Sequence, residues 1–261
     1  MNADALKVAL LHLAPRAGDI PYNRDLIERA VRHAASLDCS WIVTPELAVS
    51  GYSFASVIGT EWIEVQPDLW MRKIMRLAAE LRICVFLSVP ERDPTSNCLH
   101  NSVFVIDAQG EIAGRHRKIN TLKVGAESWS TPGDHLQPIS IGAEWKVGVM
   151  VCADAYSPHI PQELSTNGAN VLVSPAAWPP GLHGPNGEWE RSTVDTGLTL
   201  FVCNRTGTDA VVDFTPGESV VALAGKRVFA ASSKSSTAFT FTWRFGSVGQ
   251  VIDNFRQWKL E

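Results

Sequence analysis

No apolar run in this chain approaches the roughly 20 residues that a membrane-spanning helix requires. Charge is scarce as well: Asp, Glu, Lys and Arg make up 19% of the residues, and 23 basic side chains face 27 acidic ones for a net charge of −4. That balance provides no field for a nucleic acid or a membrane surface, so neither partner is expected. The five cysteines (Cys39, Cys84, Cys98, Cys152 and Cys203) are odd in number, widely spaced and never form C-x-x-C. Such usage argues against a disulfide framework or structural zinc, and for a reducing cytoplasm. His100, His116 and His135 are isolated rather than set in a ligand pattern, so structural roles are expected for them and no metal. The longest biased tract is Ser232–Ser236, and there is no repeat and no linker. The N-terminus has no basic segment ahead of the short run Val8–Leu13, which His12 interrupts, so a secretion signal is not expected.

What is present is a chain of 261 residues, 45% apolar. A chain of that length buries roughly 75% of its unfolded surface in one body, enough to fold without metal or disulfide staples. The pattern opens strand, helix, strand: Lys7–Leu13, then Asn23–Leu37 with Leu26, Ile27, Ala30, Val31 and Ala34 at helical spacing, then Trp41–Thr44. Pro67–Leu81 reads as a second helix and Ile83–Val89 as a buried strand. Asn101–Ile106 and Glu111–Arg117, joined by Asp-Ala-Gln-Gly, read as a hairpin. Then come strand Lys146–Val151, a helix near Pro161–Asn167, strand Asn170–Ser174, helix Glu188–Gly197 and strand Leu200–Asn204. Four strand-like stretches follow: Val211–Phe214, Ser219–Ala224, Arg227–Ala231 and Thr237–Trp243. The alternation predicts an α/β chain with mixed sheet covered by helices, in one domain over 1–245. The tail 246–261 places Val251, Ile252, Phe255 and Trp258 at helical spacing and is expected as a helix or arm docked on the body.

Three strand ends carry reactive side chains. Glu46 follows Trp41–Thr44, Lys118 follows the hairpin, and Cys152 follows Lys146–Val151. In open α/β sheets function gathers just outside the strand ends. Brought together, the carboxylate can take the thiol's proton as a general base. The ammonium can lower the thiol pKa and later face an oxyanion. Taken singly, each has a plainer explanation: a core cysteine, a solvated glutamate, a basic turn.

The segments T-P-E-L-A-V-S-G-Y, R-K-I-N and V-C-A-D resemble, in that order, the Glu, Lys and Cys blocks of the nitrilase superfamily of carbon–nitrogen hydrolases, in its amidase-like branch. A-E-S-W-S-T-P-G resembles the segment that carries the family's second active-site glutamate, here Glu127. G-A-N-V-L-V-S-P-A-A-W-P, C-N-R-T-G and F-T-P-G-E-S-V-V resemble later blocks, so the likeness runs from residue 7 to about 231. It implies an αββα sandwich, a homodimer or larger assembly, and no cofactor. It also implies hydrolysis of a small carboxamide or N-carbamoyl compound through a thioester on Cys152, with Glu46 as base, and Lys118 and the Ala153 N–H on the oxyanion. A nitrilase, a catalytically silent binding protein of the same fold, and an acyl transferase are the alternatives.

The chain departs from the family in places. Cys152-Ala153-Asp154 stands where nitrilases carry Cys-Trp-Glu, and Ser192–Gly197 replaces an R-A-x-E-N helix, which bears on substrate identity. Tyr52 and Trp178 flank the matched blocks and are assigned to substrate binding, with a core role as the alternative. Trp145 is expected in the core. The Gly- and Pro-rich loop Trp178–Trp189 reads equally as a lid or as a rigid surface loop.

Overall fold

The computed structural model describes residues 5–122, 125–209, 212–246 and 249–260. In chain order the elements begin β1 (Ala5–His12), α1 (Ile20–Ser36), β2 (Trp41–Val43), α2 (Phe54–Ile58), α3 (Leu69–Leu81), β3 (Cys84–Arg92), β4 (Leu99–Ile106) and β5 (Ile112–Arg117). They continue β6 (Ile139–Ile141), β7 (Trp145–Val149), α4 (His159–Thr166), β8 (Val171–Ala176), α5 (Glu188–Thr196) and β9 (Leu200–Asn204). The last are β10 (Ser219–Leu223), β11 (Lys226–Ala231), β12 (Thr237–Gly246) and β13 (Gly249–Lys259). Short 3₁₀ turns cover Gly125–Glu127 and Cys152–Tyr156.

The strands form two sheets, a seven-stranded one in the order β13-β12-β1-β2-β3-β4-β5 and a six-stranded one in the order β11-β10-β9-β8-β7-β6. Strand alternation sorts the side chains into layers. From β1, Val8 and Leu10 enter the core shared with the second sheet, while Ala9 and Leu11 meet the apolar stripes of α1 (Leu26, Ile27, Ala30, Val31) and α3 (Met71, Ile74, Leu77). On the outer side of the second sheet, Ile160 and Leu164 of α4 and Trp189 of α5 belong to the same continuous buried cluster. The expected αββα sandwich is the observed architecture.

Helix ends follow local chemistry. Asp68 caps α3 by accepting the Met71 N–H at 2.7 Å, and Asp19 caps α1 by accepting the Tyr22 N–H at 3.2 Å. The two helices are tied by Arg24 to Asp68 at 2.5 Å and by the Trp70 indole to Glu28 at 2.8 Å.

The C-terminal segment corrects one expectation. It is not a helix: β13 pairs antiparallel with β12 at the edge of the seven-stranded sheet. The register slips between Thr240 and Thr242, leaving an extra residue on β13, and Asn254 there takes a φ of 55°. Such a bulge reverses the in–out alternation. Ile252 and Phe255, three apart, therefore pack on the same core, and the spacing mimics a helix. The strand expected at Val211–Phe214 falls partly outside the described residues, and Asp213 makes only an isolated bridge to Thr208.

Candidate active site

β2, β3 and β5 run in one direction, since β2 pairs parallel with β3, and β4 reverses direction between β3 and β5. Glu46 and Lys118 therefore leave their sheet at the same end. β7 and β8 are likewise parallel, and the ends of β7 and β8 deliver Cys152 and Ala176–Ala177 to the same place. The Glu46 N–H donates to the Ala176 carbonyl at 3.3 Å, and Glu46 Oε2 accepts the Ala177 N–H at 3.0 Å, which joins the two sheets at this point.

Glu46, Lys118 and Glu127 all have 0% exposure. Lys118 Nζ donates to Glu46 Oε1 at 2.7 Å and to both oxygens of Glu127 at 2.7 Å. Asn101, near the start of β4 at the same end of the sheet, donates its Nδ2 to Glu46 Oε1 at 2.8 Å and to Glu127 Oε1 at 2.9 Å. Two carboxylates thus share one ammonium and one amide, which offsets the cost of burying them.

Cys152 sits at the first position of the turn after β7 with a φ of 47°, a left-handed conformation that few non-glycine residues adopt. Backbone strain of this kind concentrates where a side chain must be presented at one point. The thiol is pushed well up, first by burial and then by Glu46, against the opposing pull of Lys118 and of the Ala177 N–H. Burial also pushes the Glu46 carboxyl up, and Glu127 adds to it, while Lys118 and a hydrogen bond with Cys152 oppose the rise. Burial disfavours the Lys118 ammonium, yet Glu46 and Glu127 more than compensate and hold it charged.

The turn that carries Cys152 is fastened to the turn that carries Lys118 by Asp154. Its Oδ1 accepts the backbone N–H of Ile119 at 3.0 Å and of Asn120 at 2.7 Å. Its Oδ2 accepts the Val151 N–H at 2.8 Å and contacts His116 Nε2 at 2.9 Å. His116, expected to be structural, is thus a partner of this carboxylate.

Cys152 and Ala153 open onto a cavity of about 680 Å³. Tyr52 and Trp178 line it, together with Phe214, Tyr156 and the loop that follows Trp178. Tyr52 meets Phe214 edge-on with ring centroids 5.7 Å apart, and the Arg205 guanidinium lies 4.3 Å from the Phe214 ring centre. Arg205 is itself held by Asp209 at 3.1 Å and by the Pro15 carbonyl at 2.8 Å. The loop Trp178–Trp189 is tied down: the Trp178 indole donates to the His183 carbonyl at 2.9 Å, and the Tyr156 hydroxyl donates to the same oxygen. Asn204 clamps Trp178 from behind, with Oδ1 accepting its N–H at 2.9 Å and Nδ2 donating to its carbonyl at 2.8 Å. Trp145 packs against Trp41 and Trp243, away from the cavity lining.

Asn101, Phe214 and Asn204 were not singled out in the sequence, and Asp154 was noted only as the residue standing where nitrilases carry Glu. A signal existed for Asn101, a carboxamide at the head of the largely apolar strand N-S-V-F-V-I. For the others, only the fold shows what they touch. Among the described residues no group of His, Cys, Asp and Glu could hold a metal ion, and no helix is long and apolar enough to cross a membrane.

Comparison with known proteins gives the family and the fold. The family model for carbon–nitrogen hydrolases matches residues 7–251. A probable nitrilase of Schizosaccharomyces pombe is 25% identical over 244 residues, which span 90% of this chain and 87% of that protein. A formamidase of Bacillus cereus is 29% identical over 133 residues, 51% of this chain and 40% of the relative. Among solved structures, a branch 10 member of the nitrilase superfamily from Saccharomyces cerevisiae superposes with a TM-score of 0.77 at 22% identity, covering 92% of this chain and 90% of that one. A mutant of the amidase from Nesterenkonia sp. AN1, solved with the acetamide moiety of fluoroacetamide on its active site cysteine, superposes with a TM-score of 0.79 at 22% identity, covering 92% of this chain and 91% of that one.

Proposed function

The chain belongs to the carbon–nitrogen hydrolase family, and from that premise we propose that it is a thiol-dependent amidase acting on a small carboxamide or carbamoyl compound. The observation that carries this is the buried Glu46–Lys118–Glu127 cluster beside a thiol that opens onto a cavity.

In the resting site the thiol keeps its proton, because burial and Glu46 outweigh Lys118. Glu46 is pushed up by the same burial, so the two groups compete for one proton across a short path. Moving that proton from sulfur to Glu46 leaves the total charge unchanged and places the thiolate beside the Lys118 ammonium. Proton transfer of this kind is least costly when donor and acceptor are matched.

The thiolate then attacks the amide carbon. A C–S bond forms, the carbonyl π pair moves to oxygen, and the Ala153 N–H and the Lys118 charge face the resulting oxyanion. All three Lys118 N–H groups are engaged by Glu46 and Glu127, so a direct bond to the oxyanion requires release of one of the paired contacts to Glu127. Glu46 returns its proton to the nitrogen as the C–N bond breaks, and ammonia or an amine departs. The thioester is opened by water, whose proton goes to Glu46 and then to the departing sulfur. Glu127 holds Lys118 in place throughout. Turnover needs a reduced Cys152, which fits a reducing compartment.

The test is intact-protein mass spectrometry after mixing with a panel of amides, carbamoyl compounds and nitriles. An acyl adduct on Cys152 that decays as acid is released is the expected result. Cys152→Ala is expected to lose at least about 10⁴-fold in turnover while keeping its melting curve. Retention of a tenth of the activity would overturn covalent catalysis at this residue.

A further inference from the structure

We infer that the acyl portion of the substrate is uncharged, apolar and several carbons long, and that the cavity rejects amides bearing a carboxylate. This rests on the amide-hydrolase reading above and specifies its substrate class. Three observations carry it.

The first is size. The cavity encloses about 680 Å³, in the range of about 300–1,000 Å³ that accommodates drug-sized ligands, and far more than a one- or two-carbon amide fills. A thioester on Cys152 leaves its acyl group inside this space, since Cys152 lines it.

The second is the wall. Tyr52, Phe214, Trp178, Tyr156, Leu122 and Leu182 present rings and aliphatic groups to the cavity, and among the described lining residues there is no Lys, Arg, Asp or Glu. Leu182 is 92% exposed, so an apolar side chain is held at the rim where solvent would favour a polar one. Burial of an alkyl or aryl group against such walls is favourable in proportion to its area.

The third is the charge behind the wall. The cations there are already satisfied: Lys118 by Glu46 and Glu127, and Arg205 by Asp209 and the Pro15 carbonyl. Glu188, just behind the lining, is spent in the same way, on the Asn186 N–H and on Arg191 at 3.5 Å. A substrate carboxylate entering this cavity would be desolvated with no Lys or Arg among the described lining residues to pair with it.

The experiment compares three amides on the wild-type enzyme: acetamide, hexanamide, and adipamate, which is hexanamide with its terminal methyl replaced by a carboxylate. Hexanamide is expected to exceed both of the others in kcat/KM by at least about tenfold. Equal or better turnover of adipamate, or acetamide within about threefold of hexanamide, would overturn the assignment. Binding of the same compounds to Cys152→Ala, measured by calorimetry, separates this proposal from the chemistry. If nothing is hydrolysed yet hexanamide binds at least about tenfold tighter than adipamate, the apolar class stands and the hydrolase reading fails. Equal binding, a preference for adipamate, or no binding of any of the three overturns the class itself.

Discussion

Asp154 and Asn120 hold each other's segments from both sides: Asp154 Oδ1 accepts the Asn120 backbone N–H at 2.7 Å, and the Asn120 side chain donates to the carbonyl of Ala153, the residue before Asp154, at 2.7 Å. Cys152 lies two residues before Asp154 and Lys118 two residues before Asn120. The distance between thiol and ammonium is therefore set by this reciprocal pair rather than by either sheet alone.

Asp154→Asn is accordingly expected to cost both stability and rate. The substitution leaves one acceptor oxygen for four donors and turns an N–H toward another N–H. Leaving buried donors unmet costs about 2–4 kcal/mol, read as a lower midpoint in urea. Burial alone would raise the Asp154 carboxyl, but His116 and the N–H groups of Asn120 and Val151 hold it below its ordinary range. A carboxyl lowered in the fold stabilises above its unfolded pKa of about 3.9 and loses that contribution as pH falls through the folded value. The gap between wild type and Asp154→Asn should thus be full near neutrality and close in acid below about pH 4. A positioning role also predicts a fall in kcat larger than the rise in KM, which a merely destabilised fold would not give.

Lys118→Arg is expected to fail although it keeps the charge. Lys118 has no exposure, and its Nζ meets three carboxylate oxygens at 2.7 Å. A planar guanidinium is larger and presents its N–H groups in a fixed fork, so it cannot replace a compact ammonium between Glu46 and Glu127. A loss of at least about 100-fold in kcat/KM is expected. Steady-state kinetics on a folded Arg variant showing near-normal values would reduce Lys118 to a basic turn.

Much of this was legible in the chain because it is written in local patterns. β9, expected at Leu200–Asn204, has those bounds, and α5, expected at Glu188–Gly197, ends one residue earlier, with Gly197 in the left-handed region as its cap. The strand ends carrying Glu46 and Cys152 were legible because an apolar run stops abruptly at each, and the one carrying Lys118 because the hairpin pattern ends there. β13 was not, since a bulge at Asn254 disguises alternation as helical spacing. β6 and α2 are only three and five residues long, too short for periodicity to register. The support around the cluster was hidden for a different reason. Asn101 meets Glu46 across 55 positions and Asn204 meets Trp178 across 26, and pairings of that range are products of topology.

Association into a homodimer is expected from the family resemblance. The outer side of the second sheet bears α5, whose Val194 is 64% exposed, an apolar side chain that a two-fold contact would cover. Light scattering at micromolar concentration should give twice the 28.5 kDa chain mass. The mass of one chain would reject pairing.

Amides should be preferred to matched nitriles. A nitrile hydrolase must hold a linear group, protonate its nitrogen, add water to a thioimidate, and then expel ammonia in preference to sulfur so that acid rather than amide leaves. An amide presents a trigonal carbon whose oxygen already stands where the Ala153 N–H and the Lys118 charge can face it. The residue after the nucleophile is the small, buried Ala153, where the sequence resemblance places Trp in nitrilases, so no ring packs against the bound group from that side. Asp154, standing in place of Glu, spends both carboxylate oxygens on Val151, His116, Ile119 and Asn120, and has none left to manage a proton on a nitrile-derived nitrogen. Proton delivery to that nitrogen then falls to Glu46 alone, the group that must also take the thiol's proton. We therefore expect kcat/KM for hexanamide to exceed that for hexanenitrile by at least about tenfold, equivalent to roughly 1.4 kcal/mol in the transition state. Ammonia release from the two compounds, assayed side by side, decides it, and faster turnover of the nitrile would reassign the enzyme to nitrile hydrolysis.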